Sequence, residues 1–183
     1  MNRRSRQIAI AAGVGTLAAL LVACQSTGRK DLPPVAMAPR VDVPRFAGTW
    51  YVIAVIPTFL EKDVVDAKET YTPRADGSIE TVFTYRKESF AAEQKTLNST
   101  AFVEGDGGAR WGVQFVWPIR ADYRISWLAD DYSQTIVGRE KRDHVWIMAR
   151  TPTIPEADLQ KHIEFVRAQG YDVSKLVRVP QQR

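Results

Sequence analysis

Cysteine and histidine are nearly absent from this chain of 183 residues, which contains one cysteine and two histidines. The single cysteine, Cys24, excludes an intrachain disulfide, and neither His144 nor His162 has a second ligand at the spacing of a metal site. The sequence contains no Gly-x-Ser-x-Gly, His-Glu-x-x-His or phosphate-binding loop. The neighbours Asp130 and Asp131 flank a turn, and on a strand they would point to opposite faces. We therefore predict no enzyme, no metal and no cofactor, with both histidines on the surface.

Long apolar runs are also scarce, and the one near the N-terminus is short for a membrane span. Ile8 to Val22 follows three arginines and is rich in Ala and Gly, whereas a transmembrane helix needs about 20 apolar residues. This pattern predicts a signal peptide at residues 1–23. Leu21-Val22-Ala23-Cys24 resembles the site at which bacterial lipoproteins are cut and lipidated. Cys24 is therefore predicted to carry acyl chains such as palmitate; the alternative is an uncleaved signal anchor with an incidental thiol.

A strong excess of charge is missing as well. The chain has 25 basic and 21 acidic residues, and removing Arg3, Arg4 and Arg6 with the signal leaves 22 basic residues. Nothing in this balance requires a nucleic-acid partner. Residues 24–44 contain four prolines among small and polar residues, which predicts an extended tether between the lipid anchor and one domain at residues 45–183.

Strand-like segments separated by turns dominate the remainder of the chain. Asp76-Gly77 and Gly105-Asp106-Gly107-Gly108 are typical turn sequences. About eight strands predict an all-β antiparallel barrel, a size that leaves room for side chains and one small ligand. The predicted strands are 50–56, 67–73, 79–87, 95–104, 110–117, 123–128, 134–139 and 144–150.

One segment has the period of a helix. Residues 155–169 place Leu159, Ile163 and Val166 on one face, and Gly170 follows as a suitable C-terminal residue. A short additional strand is predicted at 176–179.

The segment 45–51 organises the predicted barrel. Gly48 has no Cβ, so a long side chain can lie against it, and Trp50 points to the same side of the strand. Arg150 ends the last long strand, and we expect its guanidinium to sit on the electron-rich face of the Trp50 indole. Placing the first strand beside the last is what closure of a barrel requires.

Three blocks of sequence resemble the signature of the lipocalins, in order and at similar spacing. They are Gly48-Thr49-Trp50-Tyr51, Leu128-Ala129-Asp130-Asp131-Tyr132 and Arg150-Thr151-Pro152. The resemblance covers about residues 43–180 and is closest to bacterial outer-membrane lipocalins and their apolipoprotein D-like relatives. It implies an eight-stranded up-and-down barrel with one C-terminal helix outside it, and structural signature roles for Gly48, Trp50, Asp131, Tyr132 and Arg150. Val52 and Ala129 stand where the bacterial pattern usually has Glu and Asp, although Asp130 could replace the second acid in part.

Alternate residues on three predicted strands share one face each. In a solid sandwich they would be core, whereas in an eight-stranded barrel they would line an apolar pocket. The residues alone leave both interpretations open, and the resemblance favours the pocket. The predicted ligand-binding residues are Thr81, Phe83, Tyr85, Trp111, Val113, Phe115, Trp117, Tyr123, Ile125 and Trp127.

The resemblance implies transport or storage of a fatty acid or lysophospholipid at the bacterial outer membrane. The protein would be anchored through the lipid on Cys24, with the barrel facing the periplasm. A ligand head group would stay at the mouth, where Lys87, Arg120 and Arg124 are candidate anion partners. Loop 57–65 would lie at the same mouth, as a lid, a ligand contact or a membrane-facing edge.

Three alternatives remain. An envelope interaction protein would have a filled barrel and an apolar patch outside it. A lipocalin-fold enzyme would need polar groups inside the barrel. A tetrapyrrole carrier is a ligand variant of the main hypothesis, and the lack of an inward histidine argues against haem ligation.

Overall fold

The computed structural model describes residues 32–182, so the predicted signal peptide and Cys24 lie outside the described residues. Most of this range forms strands, as the sequence predicts. The elements are α1 (Val43–Phe46), β1 (Gly48–Ile56), β2 (Val64–Pro73), β3 (Ser78–Lys87), β4 (Lys95–Glu104), β5 (Arg110–Val116), β6 (Ile119–Leu128), β7 (Gln134–Gly138), β8 (Val145–Ala149), α2 (Glu156–Ala168) and β9 (Val177–Arg178).

The strands close into a barrel because β1 pairs with both of its neighbours. Each strand from β1 to β8 is antiparallel to the next, and β1 pairs with β2 over its first half and with β8 over its second. The short β9 adds beside Ala54 and Val55, where β1 has left β2. The prediction of a closed eight-stranded antiparallel barrel with one helix outside is therefore confirmed.

Helix α2 covers one outer side of the barrel. It begins after Pro155 and ends before Gly170, which has a φ of +84°. Leu159 and Val166 are buried in a cluster that also contains outward-facing residues of β1, β7 and β8. This cluster is separate from the one inside the barrel. The inner and outer faces of the same strands therefore pack against different groups of residues. Within residues 32–182, no helix combines the length and apolarity needed to cross a membrane.

The described part of the predicted tether, residues 32–44, packs along the barrel. The backbone N–H of Ala38 donates to the carbonyl of Ile125 at 2.9 Å, and that of Val41 donates to Gly107 at 2.9 Å. Val35 and Val41 are buried. The proline content was compatible with an extended chain, but backbone hydrogen bonds and buried valines hold this chain against the barrel.

The guanidinium of Arg150 closes one end of the barrel. Its carbon lies 3.8 Å from the centroid of the Trp50 ring, which is the contact that the sequence predicts. Nη1 donates to the Thr49 carbonyl at 2.9 Å, and Nη2 donates to the carbonyls of Phe46 and Ala47, each at 2.9 Å. One cation therefore satisfies carbonyls just before and at the start of β1 while it covers the indole.

Gly48 makes room for this cation. Its φ is +93°, and a Cβ built there would lie 3.4 Å from Nη1 of Arg150. The second signature block joins the same end, because the Tyr132 hydroxyl accepts a hydrogen bond from the Asp42 backbone N–H at 2.9 Å. Asp131 caps its own turn by accepting from the backbone N–H of Ser133 at 3.0 Å. Hydrogen bonds from Ser133 lower the pKa of Asp131.

We expect Arg150→Ala to lower the free energy of unfolding by about 2–4 kcal/mol, because several carbonyls lose a charged donor and Trp50 loses its cover. Arg150→Lys should recover only part of this loss, since an ammonium cannot reproduce the planar fork. Urea denaturation followed by circular dichroism measures the effect. Arg178→Ala is the control, because Arg178 is an exposed partner of Glu156. An Arg150→Ala protein as stable as the control would contradict this role.

Candidate functional site

A cavity of about 460 Å³ occupies the barrel at the end opposite Arg150. Its mouth is formed by loop 57–63, by the end of β5, and by loop 139–144 between β7 and β8. The volume lies within the range of about 300–1,000 Å³ that is usual for small-molecule sites. The barrel is therefore an open cup.

The floor of the cup is a packed group of aromatic rings. The Trp111 and Tyr123 rings stack with centroids 5.2 Å apart, and Trp111 meets Phe46 and Tyr71 edge to face at 5.4 Å each. The hydroxyls of Tyr71 and Tyr123 share a hydrogen bond. Burial is the main cause that raises the pKa of both tyrosines. Because these rings fill the lower barrel, only the upper part can hold a ligand.

The ten predicted ligand-binding residues divide into three groups. Five line the cavity: Thr81, Phe83, Val113, Phe115 and Tyr123. Three are buried in the inner core without lining the cavity: Tyr85, Trp111 and Ile125. The remaining two, Trp117 and Trp127, lie outside the barrel interior, so their placement on the inward face is wrong.

A β-bulge explains the position of Trp127. Ile125 pairs with Val137 and Trp127 pairs with the next residue back, Ile136, so Ser126 has no partner of its own. One unpaired residue reverses the facing of every later side chain. Trp127 consequently packs outside against His162, with ring centroids 4.7 Å apart.

Trp117 lies beyond the end of β5, in the tip of the β5–β6 hairpin, and is 82% exposed. The sequence prediction continued the alternation of inward and outward side chains to residue 117. The strand ends at Val116, and the alternation ends with it.

Both histidines are buried, so their prediction as surface residues is wrong. His144 lines the cavity, and its Nδ1 lies 2.9 Å from the Ile56 carbonyl and 3.3 Å from Oε2 of Glu61. Burial lowers the pKa of His144 more than the nearby carboxylate raises it. An inward histidine is therefore present, and the argument against haem that rested on its absence fails. Within the described range, no three His, Cys, Asp or Glu side chains converge as metal ligands.

Glu61 and Glu69 are cavity residues that the sequence analysis missed. Glu61 accepts from Nε1 of Trp146 at 2.5 Å and from the backbone N–H of Thr58 at 3.0 Å, which fastens loop 57–63 to the wall. Glu69 is buried on β2, and its Oε2 has no hydrogen-bond partner within residues 32–182. Burial, and then the charge of Glu61, raises the pKa of Glu69 well above its ordinary value. The sequence could have indicated that Glu69 faces inward, because alternate residues of a strand share a face and Glu69 lies two residues before Tyr71 in the predicted strand 67–73.

The sequence profile of the Lipocalin-like domain matches residues 41–181. The chain belongs to the lipocalin family. It is 32% identical over 168 residues to the outer membrane lipoprotein Blc of Citrobacter freundii, covering 91% of this chain and 93% of that protein. Bovine apolipoprotein D is 28% identical, with coverages of 81% and 80%. The structure of insecticyanin from the tobacco hornworm matches with a TM-score of 0.65 at 13% identity, covers 83% and 87% of the two chains, and supports the fold alone.

The three cations predicted at the mouth of this lipocalin do not line its cavity. Arg120 lies over the Phe102 ring at 3.8 Å, Arg124 pairs with Asp122 at 3.0 Å, and Lys87 donates to the carbonyl of Leu60 at 2.8 Å. The guanidinium that does line the cavity is Arg139. In the described part of the chain, that cation and the buried His144 face four lining carboxylates: Glu61, Glu69, Asp122 and Asp143. The cavity wall is therefore largely apolar, and its acidic side chains outnumber its basic ones.

Glu69→Gln should change how the stability of this lipocalin depends on pH. The pKa of Glu69 is raised in the folded state above an unfolded value near 4.5, so folding favours the protonated acid. Burial of this group therefore costs more stability as pH rises from about 4.5 to the folded pKa. Glutamine does not titrate, so the free energy of unfolding of the variant minus that of the wild type should increase across this window. Urea denaturation between pH 4 and 8 measures it; a difference independent of pH would contradict the assignment.

Proposed function

We propose that this lipocalin binds and carries a single-chain lipid, a lysophospholipid or a fatty acid, at the bacterial outer membrane. The observation that carries the proposal is the open cavity of about 460 Å³ above a solid aromatic floor. Transfer of an acyl chain into it gains roughly 25 cal/mol for each Å² removed from water. An ammonium-bearing lysophospholipid fits better than a free fatty acid, because acidic side chains outnumber basic ones among the residues that line the cavity.

The relatives support the location. Proteins about 30% identical over most of their length are named outer membrane lipoproteins in Citrobacter freundii and Escherichia coli. The predicted lipidation of Cys24 would give this chain the same anchor, with the barrel in the periplasm.

An apolar rim surrounds the open end and supports a mouth that faces the lipid surface. Eleven large apolar side chains are exposed in the described chain, and eight of them belong to this end. Phe59 and Trp117 are 87% and 82% exposed, and tryptophan is favoured at membrane interfaces. The eight are Leu32, Phe59, Leu60, Phe90, Phe115, Val116, Trp117 and Ile119.

The start of the described chain lies at the same end. The Val35 backbone N–H donates to Oε2 of Glu140 at 3.2 Å, and Arg142 donates to the carbonyl of Pro33. Both partners belong to the loop at the cavity mouth. Cys24 is eight residues before Leu32, a span of at most about 30 Å when fully extended. A lipid on Cys24 would therefore hold the rim close to the bilayer, so that ligand passes between membrane and cavity.

The envelope-scaffold hypothesis is less well supported. It requires a filled barrel, whereas the upper barrel is open, and the apolar patch that it requires surrounds the ligand entrance.

Filling the cavity tests the carrier function. Ala121 lines the cavity, and Ala121→Trp should lower the affinity for a lysophospholipid at least about tenfold by occupying the space of the chain. Isothermal titration calorimetry on residues 25–183, which include all packed residues described above, measures the affinity. Ala157→Trp is the matched control, because Ala157 is exposed on α2. Equal binding by the two variants would place the ligand elsewhere.

Removing the apolar rim tests membrane contact. The double variant Phe59→Ser and Trp117→Ser, made without the lipid anchor, should bind phospholipid vesicles several-fold more weakly, because about 150–250 Å² of each aromatic side chain is available for burial. Co-sedimentation with vesicles measures the bound fraction. Val103→Ser serves as control, since Val103 is an exposed apolar residue near the closed end. If the double variant binds vesicles as well as the wild type, the rim does not contact the membrane.

A further inference from the structure

Glu69 occupies an unusual position for a carboxyl group. On β2 it pairs with Trp50 of β1 on one side and with Phe83 of β3 on the other. It lines the cavity and is only 5% exposed. Its Oε2 has no hydrogen-bond partner in the range 32–182. A buried polar atom without a partner costs stability, so a ligand group that supplies the partner would relieve this cost.

The surroundings of Glu69 are aromatic. Phe83, Tyr71 and Tyr123 line the same cavity, and the Tyr71 and Tyr123 rings meet edge to face with centroids 6.2 Å apart. Ring faces attract cations, and aromatic sites for ammonium groups are built on this attraction. A carboxyl group among such rings is complementary to an ammonium.

The basic groups around the cavity and its floor do not compete strongly with an ammonium for Glu69. Arg139 lies 4.0 Å from Asp143 and is partly neutralised by it. Burial lowers the pKa of His144, which disfavours a second cation there. Arg150 is committed to backbone carbonyls and the Trp50 ring beneath the floor. The titratable and charged groups around the cavity and its floor are Glu61, Tyr71, Asp122, Tyr123, Arg139, Asp143, His144 and Arg150.

We infer that Glu69, with the rings of Tyr71 and Tyr123, forms a subsite at the bottom of the cavity for the ammonium group of a single-chain amphiphile. The inference rests on the proposed lipid-binding function and narrows the ligand. The ammonium enters first and the hydrocarbon chain extends toward the apolar rim. An alkylamine and an ethanolamine head group share the required chemistry.

Proton release follows from this arrangement. Below its raised pKa, Glu69 carries a proton in the empty cavity, and pairing with an ammonium ion requires the carboxylate. One proton is therefore released on binding, and amine affinity should rise with pH by up to about tenfold per unit until the pKa is passed. A neutral alcohol of the same chain length lacks this dependence.

The experiment compares dodecylamine, dodecanol and dodecanoate below their aggregation concentrations, using calorimetry on residues 25–183. Wild-type protein should bind dodecylamine at least about tenfold more tightly than dodecanoate. Glu69→Gln should weaken dodecylamine at least about tenfold and remove its pH dependence, while dodecanol changes less than about twofold. Glu164→Gln is the matched control, because Glu164 is exposed on α2.

The outcomes separate the subsite from the carrier function. If dodecanoate binds as tightly as dodecylamine, or Glu69→Gln weakens amine and alcohol equally, the subsite is overturned and the carrier function stands. If none of the three binds, the carrier function fails and the subsite with it. Lysophosphatidylethanolamine binding more tightly than lysophosphatidylglycerol, with the difference lost in Glu69→Gln, identifies a phospholipid head group as the source of the ammonium. Equal binding of the two identifies an alkylamine.

Discussion

The structure depends on one cation at the closed end of the barrel. The guanidinium of Arg150 donates to carbonyls of Phe46, Ala47 and Thr49 and covers the face of Trp50. Barrel closure brings β8 beside β1, which places Arg150 next to the carbonyls of Phe46, Ala47 and Thr49. A planar donor with a fixed fork satisfies several of them at once. The loops around the cavity at the opposite end can therefore stay open, because closure does not depend on them.

The aromatic floor separates these two tasks. Phe46, Trp50, Tyr71 and Trp111 fill the lower barrel with tightly packed rings, which stabilise the fold through buried area. Above them the barrel is incompletely filled, and polar groups such as Glu69 are tolerated on the wall. Inward-facing side chains thus stabilise the fold in the lower barrel and line a cavity in the upper barrel.

The sequence predicted those features that depend on residue type at a definite spacing. Gly48, Trp50 and Arg150 could be assigned because each role requires one chemical group, and strand parity correctly placed Thr81, Phe83, Val113, Phe115 and Tyr123. It failed at Trp127 because the bulge at Ser126 arises from pairing with β7, and no residue type marks it. The histidines were misplaced because their burial depends on contacts distant in sequence, such as that of His144 with Ile56.

A buried acid in a largely apolar wall lowers the stability of the fold, and an apolar residue at the same position would not. Glu69 stands between Trp50 and Phe83, where a leucine or methionine would pack without desolvation of a carboxyl group. Stability therefore does not account for a glutamate at this position. The proposed ammonium ligand would account for it, because the same desolvation that penalises the lone carboxyl strengthens its attraction to a cation. Desolvation of Glu69 would then explain both the loss of stability without a ligand and the preference of the cavity for an ammonium.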